Sequence, residues 1–263
     1  ANLLLDPVWG PRASPVTWAG PARHAPPGIP LEDLPPLHAL LVTHDHYDHL
    51  DRPTIRAIAG TGARPSKRPL VVTPLGYRGW MRRQGVDPVR ELGWGESLTL
   101  GASTRITAVP VRHWTRRSLL DRGRRLWCGY VVESAGFRAF SCGDSGWFEG
   151  FRVLGRSVAP LDLAILPIGA YEPRWFMRDH HMNPEEAVLA YAALGGTGLC
   201  MGVHWGTFVL TDEPLDEPPV RMRSAWKAAR LPPERLWIPA HGETRVLSRG
   251  TTRVTDGAGC NTA

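Results

Sequence analysis

Leu40-Leu41-Val42-Thr43-His44-Asp45-His46-Tyr47-Asp48-His49-Leu50-Asp51 is the stretch on which the fold turns. An apolar run ends and three imidazoles and a carboxylate, His44, His46, Asp48 and His49, follow within six residues. Neutral imidazole and carboxylate are the ligands that Zn²⁺ and its transition-series neighbours prefer, and core packing has no use for four of them together. His44 and His46 are two apart, so in extended backbone they share a side. Asp48 and His49 lie past the bend and can face a second ion. A histidine-rich solvated loop is the competing explanation, but the ordered His-x-His-x-Asp-His pattern leaving an apolar strand is more specific than that.

Two ions about 3.5–4 Å apart need a bridging carboxylate and further imidazoles from distant strands. Three downstream segments have the required form, an apolar strand-like run ending in a candidate ligand. They are Thr107-Ala108-Val109-Pro110-Val111-Arg112-His113, Ala139-Phe140-Ser141-Cys142-Gly143-Asp144 and Leu199-Cys200-Met201-Gly202-Val203-His204. Each alone reads as a core histidine or a turn aspartate; with the first cluster they read as a set.

At this point the chain resembles the metallo-β-lactamase superfamily. Asp6-Pro7-Val8-Trp9, Ser14-Pro15, Gly20-Pro21, His44 to Asp51, His113-Trp114, Gly143-Asp144, Ile168 to Met177, Asn183 to Ala187 and His204 to Phe208 are similar to its N-acylphosphatidylethanolamine phospholipase D branch. The resemblance implies an α+β fold, the αββα sandwich, with two divalent metal ions, zinc first among them, at one edge. It implies that His44, His46 and His113 hold one ion, that Asp48, His49 and His204 hold the other, and that Asp144 bridges them. Asp48, Asp144 and His181 are the expected catalytic residues, His181 as a substrate-facing histidine. His180 stands where the branch has an uncharged polar residue such as Gln, which leaves open which imidazole points inward.

The expected activity is metal-dependent hydrolysis of a lipid phosphodiester, an N-acyl phospholipid or similar, without a protein nucleophile. A lactonase of the ascorbate-6-phosphate type is the enzyme alternative, and a non-catalytic metal-binding scaffold the alternative from another class. A lipid substrate requires an apolar approach beside a positive phosphate seat, for which Trp80, Trp114, Trp175, Phe176, Met177 and the arginines between Arg112 and Arg125 are the candidates. Peripheral membrane contact fits the same features. Nucleic acid does not, because aromatics do not interleave with these arginines.

Composition agrees. A chain of 263 residues, 43% hydrophobic, without a Pro/Gly/Ser linker, is read as one domain over 1–263. Its net charge of +6 is carried by arginine, since Lys67 and Lys227 are the only lysines. Cys128, Cys142, Cys200 and Cys260 form neither a zinc-ribbon nor a disulfide pattern. Asp51 is assigned a structural duty, either a helix cap or a hydrogen bond to a ligand histidine, Asp45 flanks the cluster, and His24, His38 and His241 are left outside it. Ten short apolar runs read as strands: Leu3 to Leu5, Ala39 to Val42, Leu70 to Thr73, Ser97 to Leu100, Arg105 to Val111, Gly129 to Glu133, Arg138 to Ser141, Leu163 to Pro167, Gly198 to Val203 and Leu236 to Pro239. Only Arg52 to Ala59 and Asn183 to Leu194 carry helix signals, each with proline in its first turn. Compared with the family, the chain is expected to lack two or more strands before Ala1, and 249–263 to be a disordered tail.

Overall fold

The structure, a computed structural model, describes residues 1–60, 62 and 68–247; the expected tail at 249–263 and Cys260 lie outside them. Eleven strands form two sheets among the described residues. Strands β1 (Leu3–Leu5), β2 (Ala39–Leu41), β3 (Leu70–Pro74) and β4 (Val89–Leu92) make a four-stranded parallel sheet in that order. The second sheet has seven strands, in the order β11-β10-β9-β8-β7-β6-β5. These are β5 (Ser97–Leu100), β6 (Thr104–Val109), β7 (Gly129–Ser134), β8 (Phe137–Ser141), β9 (Leu163–Pro167), β10 (Leu199–Val203) and β11 (Leu236–Trp237). β5 to β8 pair antiparallel and β8 to β11 parallel. Two antiparallel steps separate β6 from β8, so β6, β8, β9 and β10 all point the same way.

Alternation along β2 explains its continuous apolar sequence. Ala39 and Leu41 face the second sheet, packing with Val72, Ile106, Ala108 and Tyr130. Leu40 and the following Val42 face the other way, toward Leu50, Ile55 of α1 (Arg52–Ile58) and Met81 of α2 (Arg78–Arg83). Both sides of the strand are buried, which is why it lacks a polar alternate. On the far side of the second sheet, Phe140, Leu166 and Cys200 pack against Phe151 and Leu154 of α3 (Gly150–Val158), Tyr191 of α5 (Pro184–Ala193) and Trp226 of α6 (Glu217–Ala228). The layers are therefore helix, sheet, sheet, helix, the expected αββα sandwich.

The expectation of few helices is corrected. α2, α3, the one-turn α4 (Arg174–Met177) and α6 carry no signal that the sequence reading picked up, and neither does β4. α6 holds Pro218 and Pro219, but both fall in its first turn, where a missing N–H costs nothing. Gly155 of α3 reads as a breaker, yet α3 crosses α5 there so closely that a Cβ would lie 2.2 Å from the Ala193 carbonyl oxygen. β4 is a sheet edge with only Leu92 buried, so its sequence shows no apolar run.

Asp51 ends the ligand loop and starts α1. Its carboxylate accepts hydrogen bonds from Thr54 N (3.2 Å), the Thr54 hydroxyl and Gly10 N (3.1 Å). Asp51→Ala removes a helix cap and strands a buried N–H, so we expect destabilisation by about 1–3 kcal/mol in denaturant unfolding. A loss below about 0.5 kcal/mol, within the range of a neutral surface change, would show that the cap is dispensable.

Candidate metal centre

Every expected ligand stands just beyond a strand end. The loop after β2 carries His44, His46, Asp48 and His49; His113 follows β6, Asp144 follows β8 and His204 follows β10. Because these strands point to one edge, the seven side chains converge. His44, His46, His113 and Asp144 present ligand atoms all within 4.8 Å of one another, and so do Asp48, His49, Asp144 and His204. Asp144 belongs to both groups.

In the first group His44 Nε2 and His46 Nδ1 are 3.0 Å apart, and His46 Nδ1 and His113 Nε2 3.1 Å apart. Asp144 Oδ2 lies 3.7 Å from His44 Nε2 and 3.8 Å from His113 Nε2. In the second, Asp144 Oδ2 is 3.1 Å from His49 Nε2 and Oδ1 is 3.3 Å from His204 Nε2; Asp48 Oδ2 is 3.2 Å from His204 Nε2 and 3.5 Å from His49 Nε2. Backbone geometry aims these groups. Gly143 has φ +64° and packs against Thr43, setting the turn before Asp144. His204 itself sits at φ +62°, a strained conformation for a side-chain-bearing residue, and Gly169 leaves room for its carbonyl, which a Cβ would approach to 2.1 Å. Glu213 fixes the neighbouring loop by accepting from the backbone N–H groups of Ala170, Tyr171 and Glu172.

The outer nitrogens of three imidazoles are held as well. His44 Nδ1 meets Thr43 Oγ1 at 3.0 Å, His113 Nδ1 meets the His180 carbonyl at 3.0 Å, and His49 Nδ1 meets Asp6 Oδ2 at 2.8 Å. Such partners fix ring orientation and tautomer. Asp6 was not singled out for this duty by the sequence reading. Its signal was available, since it follows the apolar β1 just as the ligands follow their strands. Its carboxylate also takes the N–H and hydroxyl of Thr43 at 2.7 and 2.6 Å, which commits it to orientation.

His181 points inward. It is 7% exposed, its ring stacks 5.7 Å from His204, and its Nδ1 lies 3.8 Å from Asp144 Oδ2 without a hydrogen-bond partner. Placement comes from below: Arg174 donates to the His181 carbonyl (2.9 Å) and pairs with Glu186 (2.7 Å), which with Asn183 forms the capping box that starts α5. His180 is half-buried beside Trp114, ring centroids 5.6 Å apart. His241 meets Thr207 Oγ1 and lies outside both ligand groups; His38 accepts from the Asn2 N–H.

The arginine-rich loop divides. Arg125 pairs with the buried Asp45 at 2.7 Å. Arg117 lies over Tyr47 and Trp80 and donates to the carbonyls of Asp45 and Leu50. These two brace the ligand loop and do not offer themselves to a phosphate. Trp80 is likewise corrected: it packs on the α1/α2 core and lines a different cavity from the ligands. A cavity of about 710 Å³ does adjoin Asp48, His49, Asp144 and His204, with Leu5, Trp9, Ile165 and Phe208 among its walls. Its one arginine is Arg23, so the expected arginine rim is absent there among the described residues.

Electrostatically the two groups differ. Burial lowers His44 well below the ordinary imidazole value, with His49, His113 and His46 adding to it; burial also lowers His46 and His113 and brings His181 to about 4. Burial works against charge at His49 and His204 too, but Asp144, Asp48 and, for His49, Asp6 overcome it and raise both. Burial alone would raise the Asp144 carboxyl, yet His204, His49 and His181 hold it well below the carboxylate range. Burial thus favours the neutral imidazoles of the first group, while the carboxylates of the second favour the protonated forms of His49 and His204. Zinc titration at neutral pH is expected to release protons, measured by calorimetry in buffers of different ionisation enthalpy; buffer-independent heats would contradict this.

An αββα sandwich with nitrogen and oxygen ligands gathered at one sheet edge defines a metallo-β-lactamase type of protein. The family model of the Beta-lactamase superfamily domain matches residues 1–205, and the chain belongs to that family. It is 41% identical over 237 residues to an N-acyl-phosphatidylethanolamine-hydrolyzing phospholipase D 1 of Caenorhabditis elegans, covering 86% of this chain and 65% of that protein. It is 32% identical over 254 residues to the mitochondrial N-acyl-phosphatidylethanolamine-hydrolyzing phospholipase D of Saccharomyces cerevisiae, covering 94% and 52%. The chain therefore spans less than two thirds of the length of these relatives. Among solved structures, an isothiocyanate hydrolase from Delia radicum gut bacteria superposes with a TM-score of 0.69 at 20% identity, covering 93% of this chain and 92% of that one, which shows the shared fold.

Proposed function

We propose that the protein is a metal-dependent phosphodiesterase of the phospholipase D type, acting on N-acylated glycerophospholipids. The observation that carries this reading is the sharing of Asp144 between two ligand groups. Similarity to two N-acyl-phosphatidylethanolamine-hydrolyzing phospholipases D supports the substrate class. The residues fit a pair of divalent ions: five imidazoles and two carboxylates face one another, and His49 Nε2 and both Asp144 oxygens are buried without hydrogen-bond partners. His44, His46 and His113 would hold one ion, Asp48, His49 and His204 the other, with Asp144 between them, and zinc suits this donor set. When bound, such a pair supplies Lewis acidity and activates water at neutral pH.

The chain's own residues supply position and polarity. Asp6, Thr43 and the His180 carbonyl hold three imidazoles in place, so the ligand set is preorganised. His181, neutral because burial lowers it, offers a ring N–H to a phosphoryl or departing oxygen. Asp48 and Asp144 supply the two carboxylates of the second group. The full-length protein loaded with zinc, given an N-acyl phosphatidylethanolamine in detergent, is expected to yield phosphatidic acid and the free N-acylethanolamine. Absence of that cleavage, with a small lactone hydrolysed instead, would move the assignment to a lactonase.

A further inference from the structure

Trp114 contacts both the expected ligand His46 and the exposed Arg122. Its ring stands edge-on to His46 at 4.9 Å and tilted against His180 at 5.6 Å, and the Arg122 guanidinium lies 4.6 Å over it. Arg122 is exposed, and among the described residues no hydrogen bond or ion pair engages it. The nearby carboxylates are already spent: Asp121 pairs with Arg125 at 2.9 Å, and Asp179 pairs with Arg112 at 2.8 Å. His180, whose ring packs on Trp114, has its Nδ1 buried without a hydrogen bond. A cation held on an aromatic face keeps its in-plane N–H groups free for an anion, and planar guanidinium suits carboxylate and phosphate alike.

We propose that Trp114, Arg122 and His180 form an anion subsite beside the first ligand group, which selects phosphodiesters whose leaving alcohol carries a second negative charge, a carboxylate or a phosphate. This rests on the phosphodiesterase reading and narrows its substrate. With the scissile phosphorus at the Asp144 cluster, the alcohol side extends past His46 and Trp114 and sets its anion against Arg122. Water adds to phosphorus, the P–O bond to the alcohol breaks, and the alcohol leaves with a proton while its anion stays paired until release. Arg122 touches only the distant anion, so it acts on discrimination and leaves the chemical step alone.

The discriminating experiment compares two matched lipids on the full-length, zinc-loaded protein: an N-acyl phosphatidylethanolamine, whose leaving alcohol is neutral, and an N-acyl phosphatidylserine, whose leaving alcohol bears a carboxylate. The serine lipid is expected to be favoured in kcat/KM by about tenfold, the scale of one charge-assisted hydrogen bond pair. Arg122→Ala should bring the two together through KM of the serine lipid, with the ethanolamine lipid changed less than about threefold. Arg122→Lys should restore part of the preference. Equal rates on both lipids in the natural protein, or an unchanged ratio in Arg122→Ala, would overturn the subsite. O-phosphoserine binding by calorimetry separates this from the parent reading: if neither lipid is cleaved but binding weakens about tenfold in Arg122→Ala, the hydrolase reading fails and the subsite stands, whereas binding that is absent or indifferent to Arg122 removes the subsite.

Discussion

Asp144→Ala is expected to abolish turnover, by on the order of 10³-fold or more, and to leave the folded protein with fewer than two zinc equivalents per chain. Asp144 places Oδ2 3.1 Å from His49 Nε2 and within 3.8 Å of His44 Nε2 and His113 Nε2, and Oδ1 3.3 Å from His204 Nε2. It is also the only residue common to the first and second ligand groups. Removing any single imidazole leaves one group intact, but removing Asp144 opens both. Metal-free stability should fall too, because Asp144 is the first charge raising His49 and His204, and two buried imidazoles would each lose one of their carboxylate partners. Asp144→Asn serves as the isosteric control, keeping volume while losing charge. Elemental analysis decides the matter: two equivalents retained on a folded Asp144→Ala protein would take Asp144 out of the bridge.

How much of this was legible depends on which residues carry their own signal. β2 announces itself because both of its faces are buried, and the ligand loop because three imidazoles so close together have no packing rationale. His113, Asp144 and His204 were recognisable only as strand-end residues; what brings them together is that β6, β8 and β10 run in one direction, a property of sheet order. Asp6 was missed for the reverse reason. One aspartate after a three-residue strand looks like a turn, and only the pairing of β1 with β2 sets it beneath Thr43 and His49. Arg117 and Arg125 misled because a charge run states nothing about partners. Besides the local Asp121, their partners are Asp45 and the carbonyls of Asp45 and Leu50, the last 67 positions from Arg117 in sequence. The helices α3 and α6 were hidden by glycine and proline, residues that break a helix in its exposed middle but are tolerated at a close crossing or in a first turn.

His181→Ala should lower kcat by about 10²-fold while both ions stay bound, the loss typical of removing one positioned hydrogen-bonding or proton-transfer group. The argument starts from burial. His181 is 7% exposed, with its ring between those of His113 (5.2 Å) and His204 (5.7 Å), yet its Nδ1 stands 3.8 Å from Asp144 and belongs to neither ligand group. It borders the reacting region without being needed to hold it together, so its loss should appear in kcat and spare metal content. Burial brings its pKa to about 4, so between about pH 6 and 8, around the ordinary histidine value, it remains neutral. The shape of the pH–rate profile in that window should therefore be the same with and without His181, and only its height should drop. His180→Ala provides the comparison, since that half-buried ring, 6.2 Å from His113, belongs to neither ligand group and makes no close approach to Asp144 like that of His181, and it should leave kcat on the ethanolamine lipid nearly unchanged. A fully metallated His181→Ala protein with undiminished kcat, beside a His180→Ala protein that loses it, would exchange the two roles and mean that the inward-facing imidazole is not the one that meets substrate.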